Sequence, residues 1–254
     1  MLSIVQLPVL NDNYIYLLHE PETGVTAVVD PAVAQPVLDA LAQRGWRLTH
    51  ILNTHHHHDH VGANLYLQAL TGCQIIGAAV DRARIPGLSH AVNDQDRFGL
   101  GQASVQVIAT HGHTSGHISY YIAEAEALFC GDTLFVMGCG RLFDGTIGQL
   151  WHSLQVLKTL PASTRVYCAH EYTEANGRFA LSVEPGNQAL QDKMVRVRQL
   201  RAVGQPTVPS TLAEELATNP FLRTDNAALQ QAAGLPGGDS LAVFSRLRAM
   251  KNTF

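Results

Sequence analysis

Charge is scarce in this 254-residue chain, with 15% of residues charged, and the 17 lysines and arginines are outnumbered by 21 acids for a formal net charge of −4. A nucleic-acid backbone needs a broad basic face, so that class of partner is excluded and small molecules are favoured. Cysteine is also sparse. Cys73, Cys130, Cys139 and Cys168 show no C-x-x-C spacing and are too few for a disulfide scaffold in a chain of this length, which points to a reducing compartment. Long apolar runs are missing too: none reaches the roughly 18 residues of a membrane span. Met1 to Leu18 has no basic start and is broken by Pro8 and by Asn11-Asp12-Asn13, so it fails as a signal peptide. A cytoplasmic protein with no membrane partner is the expectation. What is abundant is apolar surface, 46% of residues, enough for a core domain plus a smaller appendage.

Short β-type runs recur over Ser3–Leu7, Tyr14–Leu18, Val25–Val29, Leu48–Asn53, Gln74–Gly77, Ser104–Ala109, Ile118–Ile122, Ala127–Cys130 and Arg165–Cys168. Helical periodicity marks Ala34–Arg44, Ala63–Leu70 and Ile147–Leu160, the last ending at Pro161. This alternation predicts an α/β fold of two mixed sheets flanked by helices. Beyond Tyr172 the texture is helical only: Thr173–Ser182, Gln188–Arg201, Thr211–Ala217, Ala227–Ala233 and Leu241–Lys251, separated by Pro- and Gly-bearing breaks. A boundary near residue 172 follows, with a catalytic domain over 1–172 and a helical domain over 173–254.

Histidine carries the chemistry. Of 13 histidines, nine fall in Thr54-His55-His56-His57-His58-Asp59-His60, in Thr110-His111-Gly112-His113-Thr114-Ser115-Gly116-His117 and in Ala169-His170-Glu171. Each stretch follows a β-run, so side chains from different strands can converge at one sheet edge. Imidazole and carboxylate suit Zn²⁺, Fe or Mn²⁺. In an irregular loop, side chains at i and i+2 point the same way, so His55 and His57 can hold one ion while Asp59 and His60 reach a second. His113 completes the first set, His170 completes the second, and Asp132 in Gly131-Asp132-Thr133 can bridge them. A terminal tag lacks the following Asp59-His60, and a closed structural site uses fewer ligands, so an open catalytic centre is the better reading. His56, His58, His111 and His117 read as flanking or surface residues.

The Thr54 to His60 stretch resembles the signature of the metallo-β-lactamase superfamily, with Asp30 of Val29-Asp30-Pro31 similar to its upstream structural aspartate. Asn11-Asp12-Asn13-Tyr14, Phe129 to Phe135, Gly138-Cys139-Gly140-Arg141, Cys168 to Thr173, Asn219 to Arg223 and the tail Arg248 to Phe254 together resemble the glyoxalase II, or hydroxyacylglutathione hydrolase, family over essentially the whole chain. The resemblance implies an αβ/βα sandwich with metals at one edge. It also implies hydrolysis of S-D-lactoylglutathione to D-lactate and glutathione at a pair of metal ions; two divalent ions, zinc foremost with Fe or Mn as alternatives, and a monomer are the expectation. Carried over, the family's glutathione contacts fall on Arg141, Tyr172, Arg248 and Lys251, with Phe143 standing where some members have tyrosine and His111 where proline is usual. Asp59 is expected to orient the attacking hydroxide as well as bind metal. A persulfide dioxygenase or another thioester hydrolase of the superfamily is the rival, and the complete second-metal set argues against the dioxygenase.

Overall fold

The computed structural model describes residues 2–254. They pack as two compact units, one running to Thr110 and including Gly116–Gly131, the other made of His111–Ser115 and Asp132–Phe254. Compactness thus groups the chain differently from the change of texture near residue 172.

In the first unit, β1 (Ser3–Val9) and β2 (Asn13–His19) form a hairpin, and β3 (Thr26–Val29) adds antiparallel to β2. The first crossover helix, α1 (Gln35–Arg44), then turns the sheet parallel. β4 (His50–Leu52), the short α2 (His58–Val61), α3 (Asn64–Thr71), β5 (Gln74–Ala78) and β6 (His90–Val92) follow, and the sheet is ordered β1-β2-β3-β4-β5-β6. Parallel neighbours need such crossovers because a tight turn can join only antiparallel ones. The α1 residues Val37, Ala40 and Leu41 and the α3 residue Leu67 pack with Leu17, Val28, Ile51 and Ile75 of the sheet. Four antiparallel strands, β7 (Arg97–Leu100), β8 (Ala103–Ala109), β9 (Ile118–Ile122) and β10 (Ala127–Gly131), complete this unit. Strands β3, β9 and β10 are buried at every position, as strands covered on both faces must be. Tyr120 of β9 fixes how the two strand layers meet: its hydroxyl donates to Asn53 O (2.8 Å) and Ile76 O (3.2 Å). Burial pushes that phenol well above its usual pKa, so it stays a donor.

The second unit holds the two-residue strands β11 (Leu134–Phe135) and β12 (Gly138–Cys139), α4 (Ile147–Leu157), β13 (Arg165–Cys168), α5 (Thr173–Val183), α6 (Gln188–Ala202), β14 (Ser210–Thr211), α7 (Leu212–Thr218), α8 (Ala227–Ala232) and α9 (Ser240–Thr253). Thr146 and Gln149 form a reciprocal capping box on α4, and Asn187, Thr211, Asn226 and Asp239 cap α6 to α9 in turn. Helix α6 buries Leu190, Met194 and Val197, and Gly177 of α5 lies so close to Met194 that a side chain there would meet its sulfur at 2.0 Å. β14 pairs antiparallel with β13, so the region after Tyr172 is not purely helical as expected. Like β6, β7, β11 and β12, it is too short to show an alternating pattern.

Candidate metal centre

The first unit supplies four of the expected ligands from the loop after β4. Asp30, just past β3, is held at φ 48, a conformation that a non-glycine residue adopts at a cost, and its carboxylate is buried. Its Oδ1 accepts from the Thr54 backbone N–H at 2.8 Å and its Oδ2 from the Thr54 hydroxyl at 2.7 Å. The same Oδ2 lies 3.0 Å from His60 Nδ1. Two tautomers follow. His60 keeps its proton on Nδ1, facing Asp30, and offers Nε2 as a lone pair. Thr54 has already donated its proton, so it accepts from His55 Nδ1 at 3.0 Å, leaving His55 Nε2 as an acceptor atom. That Nε2 stands 3.0 Å from His57 Nδ1. The one-turn helix α2 brings Asp59 Oδ2 to 3.6 Å from His60 Nε2. Asn13 holds Asp59 by donating to Oδ2 (3.0 Å) and to its backbone carbonyl (3.3 Å). His56 turns away to Asp81 Oδ2 (3.0 Å), and His117 stacks on His55 with centroids 4.8 Å apart.

The second unit supplies the other three. His113 Nδ1 donates to Arg141 O (2.8 Å), which turns Nε2 toward Asp132 Oδ2 at 3.4 Å. His170 Nε2 lies 3.3 Å from the other oxygen, Oδ1. A different imidazole thus faces each of the two oxygens of Asp132. Gly140 makes room for it: a side chain there would meet Asp132 O at 2.0 Å. Tyr172 lies parallel to His170 with centroids 4.8 Å apart, Phe135 stands edge-on to both, and exposed Phe143 stands edge-on to His113 at 5.1 Å. The first unit thus gathers His55, His57, Asp59 and His60, and the second His113, Asp132 and His170; no cysteine is among these residues. The donor set therefore fits divalent first-row metals.

The expected substrate cations separate into different roles. Arg141 is exposed. Lys251 is half-buried, donates to Ala175 O at 3.3 Å and sits over the rings of Phe179 (5.6 Å) and Phe254 (5.5 Å). Burial, and then the charges of Arg248, Arg178 and Arg141, lower its pKa below the ordinary lysine value. Arg248 is 5% exposed, and its Nη1 donates to Cys139 O (2.8 Å), while Nη2 donates to Asn252 Oδ1 (3.2 Å). Its guanidinium braces the Gly138-Cys139-Gly140 turn. Other braces on that segment went unread in the sequence. Buried Glu215 accepts from Lys193 Nζ (2.7 Å), Ser210 Oγ (2.6 Å), Met137 N (2.7 Å) and Asn219 Nδ2 (3.0 Å), and Asn219 also donates to Phe135 O and Gly138 O. Asn219 stands in a motif already singled out for resemblance; Glu215 carried no signal beyond being an acid in a helical run.

Family models match in two consecutive stretches: the metallo-beta-lactamase superfamily over residues 10–170 and the hydroxyacylglutathione hydrolase C-terminus over 171–254. Hydroxyacylglutathione hydrolase of Methylococcus capsulatus is 58% identical over 254 residues, spanning 100% of this chain and 99% of its own. The chain belongs to the hydroxyacylglutathione hydrolase family. Among solved structures, ETHE1 from Myxococcus xanthus superposes with a TM-score of 0.71 at 26% identity, covering 98% of this chain and 91% of its own. TTHA1623, solved in a di-iron-bound form, superposes at 0.62 and 25% identity, covering 87% and 100%. The expected metallo-β-lactamase fold, with a helical C-terminal region that the hydroxyacylglutathione hydrolase family adds, is the one observed.

Proposed function

We propose that the chain hydrolyses S-(2-hydroxyacyl)glutathione thioesters, chiefly S-D-lactoylglutathione, to the free 2-hydroxy acid and glutathione, the second step of methylglyoxal detoxification. The observation that carries this is Asp132, whose two oxygens each face a different imidazole. His55, His57 and His113 would hold one divalent ion and Asp59, His60 and His170 a second, with the Asp132 carboxylate shared between them. The ions are zinc, with Fe or Mn as alternatives; the solved di-iron-bound form of TTHA1623 supports a pair. Bound there, they supply Lewis acidity toward the thioester carbonyl and lower the pKa of water to about 7.

The protein's own groups do the rest. Asp30 and Thr54 set the tautomers of His60 and His55, and Asn13 aims Asp59, which orients the attacking water. Water adds to the carbonyl carbon, the C–S bond breaks, and glutathione leaves as a thiolate. A thiol of pKa about 8.5 departs without a strong general acid, so none is required. Arg141, Tyr172, Phe143 and Lys251 face the glutathione moiety, while Arg248 acts on it through the turn that carries Arg141. Residues 1–172 form the catalytic domain and 173–254 the substrate-binding domain, a division supported by the two family matches. Among the described residues no helix is long and apolar enough to cross a membrane. The enzyme works as a cytoplasmic monomer on this small substrate, without nucleic acid or membrane partners. Steady-state hydrolysis of S-D-lactoylglutathione, run beside metal analysis of the same sample, tests the reading: thioester turnover that disappears with the metal supports it, and metal-loaded protein without turnover contradicts it.

A further inference from the structure

We propose that Arg178, a residue outside the expected substrate contacts, is a specificity-determining cation that pairs with a carboxylate of the glutathione moiety; this rests on the hydrolase reading above. Arg178 is exposed on α5. Ala175, whose carbonyl accepts from Lys251 Nζ at 3.3 Å, lies three residues earlier on that helix, so the two residues share a face. Phe179, the next residue, carries Lys251 Nζ over its ring at 5.6 Å. The Lys251 ammonium therefore sits beside the part of α5 that bears Arg178, and Arg248, Arg178 and Arg141 all act on it as positive charges. Among the described residues, none of these four cations takes part in an ion pair, although six pairs elsewhere join Lys or Arg to acids. Glu174, four residues before Arg178 and well placed for a helical pair, makes none.

Four neighbouring cations without a counterion repel one another, an arrangement with a use only if an anion completes it. Arg248 is already committed to the Cys139 carbonyl, which leaves Arg141, Lys251 and Arg178. Glutathione carries two carboxylates, and Arg178 on α5 puts a second cation beside Lys251, where one carboxylate can be held by both. Arg178 offers a planar two-pronged donor on a rigid helix.

The test uses full-length, metal-loaded enzyme. Arg178→Gln should raise KM for S-D-lactoylglutathione about 3- to 10-fold at unchanged kcat and metal content, with Arg178→Lys recovering part of the loss. Arg198→Gln, an equal change of net charge on the exposed face of α6, should leave KM as it was. Binding of S-methylglutathione, followed by calorimetry, should weaken by the same factor in Arg178→Gln. Wild-type turnover with KM and Kd unaltered in Arg178→Gln overturns the inference alone. A wild type that binds S-methylglutathione through Arg178 yet hydrolyses no lactoyl thioester keeps the inference and overturns the proposed activity.

Discussion

The histidine loop after β4 and the segment from Asp132 to Arg141 both carry ligand-type side chains, but they are held in opposite ways. The loop is oriented by neighbours in a compact polar network: Asp30 reaches Thr54 and His60, and Asn13 reaches Asp59. The Asp132 segment is oriented by helices far along the chain, through Glu215 to Met137 N, Asn219 to Gly138 O, Asn176 to Val136 O and Arg248 to Cys139 O. The first region spends its hydrogen bonds on ligand side chains, fixing tautomers. The second spends them on backbone carbonyls and N–H groups, fixing the path of the chain. Damage to the first should therefore show up as lost metal, and damage to the second as lost stability and a displaced Arg141.

Removing the metal should have the largest effect. A strong chelator should abolish hydrolysis, and Zn²⁺ or Mn²⁺ should restore it, whereas alkylating accessible cysteines should not, since all four are buried and burial pushes the Cys168 thiol up to about 12. Next comes Asp30→Ala, which strands the Thr54 and His60 donors; metal affinity should fall about 10- to 100-fold, read by competition with a chromogenic chelator. If affinity holds while only the melting temperature falls, the loop is not tuned through tautomers.

Glu215→Gln probes the other region. It takes the buried carboxylate from Lys193, 5% exposed, leaving it only the more exposed Glu214 at 3.5 Å, and should cost about 2–4 kcal/mol in denaturant unfolding, with metal content at saturating ion little changed. Arg248→Met should cost less, about 1.5–3 kcal/mol, and raise KM through the loosened turn. Loss of KM without any loss of stability would return Arg248 to direct substrate contact.

The smallest effect concerns Lys251. Its pKa is lowered, so it sheds its charge as pH rises through a value below the ordinary lysine range; below that value the charge is present and binding is intact. KM for the glutathione thioester should accordingly climb on the alkaline side in wild type, and that limb should vanish in Lys251→Met. An alkaline limb that survives the substitution assigns it to another group.

The same contrast explains how much could be read without coordinates. The clusters of ligand-type residues were legible because rare residue types fall in short motifs next to strands: His55, His57, Asp59 and His60 share one stretch, and β4, β8 and β13 each end just before a histidine cluster. The longer strands and helices were legible from periodicity. What orients the ligands was harder. Asp30 and Asn13 stood out only within motifs of resemblance, and the bonds of Glu215 to Met137 and of Arg248 to Cys139 run across 78 and 109 residues, which no local pattern encodes. The cationic tail could be seen as cationic, but only burial distinguishes Arg248 from Lys251.

The binuclear reading rests on Asp132, and Asp132→Asn tests it most directly. Metal per chain and kcat on S-D-lactoylglutathione should be measured on one preparation each of wild type and variant. The account predicts close to two ions per chain and turnover in wild type, and in the variant a loss of bound metal with kcat down on the order of 100-fold or more, because an amide bridges poorly. A variant with two ions and wild-type kcat would contradict it.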